Sequence, residues 1–195
     1  MKKRLINIGI ASLVLLGVMS CARQVTRVNP DKTIDLSGRW NDTDSKLVAQ
    51  EMSKDVLARA WRDNFIKIKG RNPVVIVGMV SNKTSEFIEP EVFIKDVEKE
   101  FINAGTVRVV TNSVFREKLR TERAEQQQYA SQETMKKWGK ELGADFMLFG
   151  TINAITDGRG KKQTIFYKVN LELADIETNE IVWVGDKEIK KLIVN

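Results

Sequence analysis

Two short runs constrain the fold more than any other feature. Val74-Val75-Ile76-Val77-Gly78-Met79-Val80 and Phe146-Met147-Leu148-Phe149-Gly150-Thr151-Ile152 are apolar at nearly every position and have the length of a strand. A strand with one wet face alternates apolar and polar side chains. A strand apolar on both faces needs cover above and below, so it belongs inside a sheet flanked by helices.

The segments around these runs supply the helices. Leu47, Val48, Met52, Val56, Leu57, Ala60 and Trp61 keep one helical face, and the polar stretch from Ser37 to Ser45 offers several caps for its start. Pro90 is placed to open a second helix at its first turn, with Phe93, Ile94, Val97 and Phe101 inward and Gly105 as the stop. Val107–Val110 reads as a short strand. Asn112 or Ser113 then caps a helix with Val114, Phe115 and Leu119 inward, whose continuation from Arg120 to Gln128 has no apolar face. Ser131, Thr134, Met135, Trp138 and Leu142 predict one more helix, ended by Gly143.

Beyond the second apolar run the period changes. Asp157-Gly158-Arg159-Gly160-Lys161-Lys162 has the composition of a hairpin turn. Ile165, Tyr167, Val169, Leu171 and Leu173 alternate with mostly polar residues, which predicts a strand with one solvated face. Glu177–Glu180 turns the chain, and Ile181–Val184 returns as the last strand, followed by polar residues. The expected fold class is α/β: a small mixed β-sheet with helices on both faces, crossovers first and an antiparallel meander last.

The amino terminus carries a different signal. Met1-Lys2-Lys3-Arg4 is a basic start, and Leu5 to Met19 is uncharged. A bilayer-spanning helix needs roughly 20 apolar residues, so this run fits an export leader. It ends in Val18-Met19-Ser20-Cys21, the pattern that a lipoprotein signal peptidase reads, and Cys21 is the single cysteine of the chain. The expected organisation is a lipoprotein signal peptide over 1–20, a lipidated tether over 21–36 containing Pro30, and one globular domain over 37–195. Lipidated at Cys21, the protein is held on a membrane face by its acyl chains. An exported domain with no second cysteine has no disulfide and must be held by its core, for which a 42% hydrophobic content suffices.

Composition excludes much chemistry. There is no histidine, which removes the commonest general base and metal ligand. Lipidation consumes the only thiol, so no cysteine catalysis and no thiolate metal site is expected, and neither a Walker loop nor a dinucleotide fingerprint occurs. Asp42 with Asp44, or Glu98 with Glu100, are carboxylate pairs of the kind a glycan hydrolase uses, but among 26 acidic residues such pairs arise by chance. No catalytic residue, metal or cofactor is expected. The net charge of +6 includes Lys2, Lys3 and Arg4 of the leader, and no basic stripe interleaved with aromatics points to nucleic acid. Binding remains. Trp61, Trp138 and Trp183 have core spacing, whereas Trp40 lies in a polar segment. Lys83 and the Arg159-Lys161-Lys162 turn are exposed cations that suit an acidic partner or an anionic glycan.

Several segments together resemble one family. Asp35-Leu36-Ser37-Gly38-Arg39-Trp40-Asn41-Asp42-Thr43-Asp44-Ser45 follows the lipobox. The Val74–Val80 strand leads to Asn82-Lys83-Thr84, Glu141-Leu142-Gly143-Ala144-Asp145 precedes the next strand, and Glu177-Thr178-Asn179-Glu180-Ile181-Val182-Trp183 stands near the end. In order and spacing these are similar to the penicillin-binding protein activator LpoB family. The resemblance implies a domain like the amino-terminal domain of TolB. It also implies a non-enzymatic, monomeric lipoprotein of the outer membrane, facing the periplasm, that binds and stimulates a class A penicillin-binding protein. Ala22, in place of an aspartate, agrees with outer-membrane sorting. The tether is shorter than the long Pro-rich one of the enterobacterial member and reaches roughly 50 Å at most. Trp40 and the loop Asn82, Lys83, Thr84 and Ser85 are the expected partner-binding surface. The alternative is a structural, curli-secretion-like assembly lipoprotein of the envelope.

Overall fold

The computed structural model describes residues 24–129 and 141–194. The leader, Cys21 and the helix expected around Met135 and Trp138 lie outside the described residues. Residues 24–33 belong to a unit of their own, exposed throughout, with a turn in which the Lys32 N–H donates to the Asn29 carbonyl.

From Ile34 onward the chain forms one compact unit. Its elements are α1 (Asp42–Leu57), α2 (Ala60–Lys69), β1 (Val74–Asn82), α3 (Pro90–Ala104), β2 (Arg108–Val110), α4 (Ser113–Tyr129), β3 (Phe146–Arg159), β4 (Lys162–Asp175) and β5 (Ile181–Val194). The sheet order is β2-β1-β3-β4-β5. β1 is parallel to β2 and β3, and β3, β4 and β5 form the antiparallel meander. This is the mixed α/β architecture that the two periods imply.

The main core lies between one face of the sheet and α1, α2 and α3. Val75, Val77, Leu148, Ile152, Val169, Leu171, Leu173 and Trp183 from the strands meet Val48, Met52 and Val56 of α1 and Phe93, Val97 and Phe101 of α3. Trp61 and Phe65 of α2 pack edge-on against Phe146, with ring centroids 5.0 and 5.3 Å apart. Val74 and Ile76 are buried as well. Alternation along a strand directs them to the opposite face. There the start of α4 (Ser113, Val114, Arg116) and residues Ile76, Gly78 and Met147 line a cleft of about 810 Å³. Cover on two sides is the reason that Val74–Val77 are apolar at every position, whereas Met79 further along β1 is exposed.

Four sequence expectations are corrected. The helix expected from Leu47 to Trp61 is two helices, because Arg59 is extended at φ −86°, ψ 159°. The break lets Trp61 turn toward Phe146, and its indole N–H donates to the Val56 carbonyl at 2.7 Å. Leu47 and Ala60 are left exposed. Val114, Phe115 and Leu119 are also exposed, not inward. Phe115 lies between the ammonium groups of Lys95 and Lys118, 4.9 and 5.1 Å from the ring centre. Beyond Leu119 the helix continues regularly to Tyr129. Arg120 and Arg123 reach Glu141, and the hydrogen bonds from Arg120 and then Arg123 hold that carboxyl at about 2.

The third and fourth corrections concern strand length. β3 runs on to Arg159 and β5 to Val194, well past the apolar stretches that announced them. On β5 the inward positions alternate Lys187, Ile189, Lys191 and Ile193. Long aliphatic stems can cover apolar surface while their ammonium groups find partners. Lys187 pairs with Glu51 of α1, and Lys191 pairs with Asp35 and Asp44. A charged strand face that sequence reads as solvated is therefore covered by complementary charge on α1 and the segment before it.

Asp145 pins the entry to the sheet. Both its oxygens accept from Arg71, at 2.7 Å each, and Oδ2 also accepts from the Val74 N–H at 2.8 Å. Its own N–H donates to the Val74 carbonyl. Burial raises the Asp145 carboxyl, but the Arg71 and Val74 donors bring it below its usual range. Asp145→Asn points one amide toward these donors. It is expected to cost about 1.5–3 kcal/mol, the usual size for a hydrogen bond to a charged group. The urea midpoint falls at unchanged slope if this is a pure loss of stability.

Candidate functional site

The segment Asp35–Asn41 crosses the far end of the sheet's inner face and reaches α1. Asn41 caps that helix: its Oδ1 accepts from the Asp44 N–H at 3.1 Å, and Asp44 Oδ2 accepts from the Asn41 N–H at 3.0 Å. This reciprocal arrangement satisfies two donors that a helix start leaves open. Asp44 also faces Lys191 Nζ at 2.6 Å, and Lys191 donates to Asp35 Oδ1 and the Arg39 carbonyl at 2.9 Å each. Gly38 has φ +68°, and a Cβ there would stand 2.5 Å from Ile193 Cγ1, so only glycine lets the strap lie this close.

Trp40 ends the strap. Its ring meets Tyr167 edge-on at 5.5 Å, and its indole N–H donates to Ser45 Oγ at 2.7 Å. Its backbone N–H is shared between Tyr167 Oη at 3.0 Å and Glu86 Oε2 at 3.2 Å. Tyr167 in turn donates to Glu86 Oε1 at 2.7 Å. Burial, together with the neighbouring Glu86 carboxylate, holds the Tyr167 phenol above its ordinary range, so it stays a donor. Glu86 thereby ties the strap to the loop after β1.

That loop is held from within. Asn82 Oδ1 accepts from both the N–H and the hydroxyl of Thr84, at 2.9 and 2.8 Å. Asn82 Nδ2 donates to the Glu86 carbonyl at 2.8 Å, and the Glu86 N–H donates to Thr84 Oγ1 at 3.1 Å. The Lys83 N–H extends the ladder to the Ile152 carbonyl. Asn82 and Thr84 are thus half-buried staples, while Lys83 and Ser85 face solvent. Phe87 sits between Glu86 and buried Ile88, and 95% of its surface is exposed. Sequence reading placed Trp40 and Asn82–Ser85 on one surface. In the structure they meet through Glu86 and Tyr167, with Phe87 standing outward beside Glu86, and sequence reading assigned none of these three to the site. The available signal was the adjacent apolar pair Phe87-Ile88 in a polar loop: neighbours in extended backbone point to opposite sides, so when Ile88 is buried Phe87 is left outward.

Among the described residues, no three acidic, histidine or cysteine side chains gather to hold a metal ion, and no helix is long and apolar enough to cross a membrane. The corner offers a rigid contact surface with an aromatic side chain at its tip.

The family model for the peptidoglycan-synthase activator LpoB matches residues 44–189. The chain belongs to the LpoB family. Members are envelope lipoproteins, and the family description makes them activators of a peptidoglycan synthase. The structure is similar to the LpoB carboxy-terminal domains of Escherichia coli (17% identity, TM-score 0.42) and Salmonella enterica (15%, 0.41), in each case covering 75% of this chain and 98% of the other. The lipoprotein GNA1162 of Neisseria meningitidis is also similar, at 12% identity and TM-score 0.37, over 60% of this chain and 82% of that one. At such scores these likenesses add no weight, and membership in the LpoB family rests on the family model. No curated protein matches the chain. The matched span begins at Asp44, inside the capping box, and takes in the loop after β1 and all five strands up to Ile189.

Proposed function

We propose that this protein is an outer-membrane lipoprotein, anchored through Cys21 over a tether ending near residue 36, that binds a class A penicillin-binding protein from the periplasmic side and raises its glycan polymerisation and cross-linking. The family match over residues 44–189 carries this reading. The contact surface is the corner of Trp40, Asn82, Lys83, Thr84 and Ser85, with Phe87 as its tip. The staples that fix the loop before binding reduce the ordering cost of docking. To activate, the domain must bind the active state of the synthase more tightly than the inactive one. The test uses a lipid-free chain beginning at Ala22 and a purified class A synthase. Retention of the synthase on the immobilised chain and faster glycan polymerisation are expected. If the synthase is neither retained nor accelerated, the proposal fails.

A further inference from the structure

The tip of the β3–β4 hairpin is basic, and among the described residues none of its cations has an ion-pair partner. Arg159, Lys161 and Lys162 flank a turn in which Gly160 takes φ +61°. All three are exposed, and the structure gives them no ion pair. Asp157 is the one carboxylate close to them in sequence. Exposed apolar side chains border the turn: Val194 is register partner to Lys162, and Leu192 lies opposite Thr164. Leu192 is 65% exposed, Val194 63% and Leu36, on the strap, 93%. Cations interleaved with outward aliphatic residues are suited to a lipid head-group layer, which takes the charges at its anionic surface and the aliphatic groups at its acyl boundary.

The strap shows which surface lies nearby. Asp35 is bonded to Lys191, and Gly38 lies over Ile193. Lys191 is opposite Ile165 and Ile193 opposite Gln163. The point where the chain from Cys21 enters the domain is therefore roughly 13 Å from the hairpin turn, at about 3.3 Å per residue along β4. Fully extended, the 13 residue steps from Cys21 to Ile34 reach roughly 45 Å at most. Anchored through Cys21 as proposed above, the domain cannot leave the neighbourhood of the bilayer, and even a weak contact is populated because the effective concentration is high.

We infer that the Arg159-Lys161-Lys162 hairpin tip, with Leu192 and Val194, seats on the anionic phospholipid head groups of the membrane that carries the anchor. This contact orients the domain and is independent of the synthase-binding corner.

The lipid-free chain from Ala22 retains the whole compact unit, so it serves as the probe. It is sedimented with vesicles of phosphatidylglycerol and phosphatidylethanolamine, and with vesicles of phosphatidylcholine alone. Binding to the anionic vesicles only is expected, with loss in about 0.5 M salt. Arg159→Gln/Lys161→Gln/Lys162→Gln, all at exposed positions, is expected to weaken it by about 100-fold, at about 1 kcal/mol for each cation near an anionic surface. Phe87→Ala binds these vesicles like the parent chain. Four results overturn the inference: no binding to anionic vesicles at low salt, equal binding to neutral ones, full binding by the triple variant, or loss produced instead by Arg27→Gln/Lys32→Gln in the tether.

Discussion

Lys191→Met destabilises the domain by about 3–5 kcal/mol, the usual cost of removing one partner from a buried ion pair. The lysine side chain is 12% exposed, and Asp44 beside it 10%. Methionine fills the same channel but leaves Asp44 and Asp35 facing each other's charge with no cation. The Arg39 carbonyl loses its donor too. A lowered urea midpoint measures the effect, and Lys190→Met is the control. Lys190 is the exposed neighbour on the outer face, and its replacement is expected to change stability by no more than about 0.5 kcal/mol. Equal midpoints for the two variants would mean that the strap is not held by this network.

The same network fixes the sign of a pH dependence. Burial pushes the Lys191 ammonium down, but its bonds to Asp35 and Asp44 outweigh this and leave it raised above its ordinary 10.5. A raised cation contributes fully below that ordinary value and loses its contribution as pH rises through the folded one. Asp35 is lowered from its ordinary 3.8, first by the Lys191 hydrogen bond. Its contribution is whole above that value and is lost as pH falls through the lowered one. The stability gap between the parent chain and Lys191→Met is therefore level from about pH 5 to about pH 9 and narrows outside that window.

If the corner docks a class A synthase as proposed, Phe87→Ala weakens that binding by about 30-fold or more, since truncating a central aromatic anchor costs about 2 kcal/mol or more. Folding is untouched, because Phe87 makes little contact with its own domain. Thermal unfolding of the variant matches the parent while the measured Kd rises. An unchanged Kd removes Phe87 from the interface. Tyr167→Phe provides a graded comparison. It keeps the ring against Trp40 but drops the O–H that holds Glu86, so the loop loosens while Phe87 remains.

These effects locate what a sequence reading reaches. Pro90 and Gly105 bound α3 as predicted, with Gly105 at φ +64°, because start and stop signals act on the backbone next to them. Asn112 caps α4 through the Phe115 N–H for the same reason. β1 and the start of β3 were legible as unbroken apolar runs; Val74–Val77 are buried on both faces, while in β3 one face is buried and Met147 on the other is exposed. Trp40 stood out as an aromatic in a polar stretch, and Asn82 and Thr84 as a loop. The residues that connect them, Glu86 and Tyr167, did not, since no local pattern links either to position 40.

What the sequence alone determined is β1, α3, β2, the starts of α4 and β3, and the alternation of the last strands. Period, propensity and capping depend on neighbours a few residues apart. The tertiary structure decided the rest: that the helix breaks at Arg59 so that Trp61 can reach Phe146, that β5 runs to Val194, and that strap, loop and strand meet in one corner. Those outcomes turn on which charges and rings face one another across the fold. A lysine on β5 reads as solvated until strand register sets it beside an aspartate 147 residues earlier in the chain.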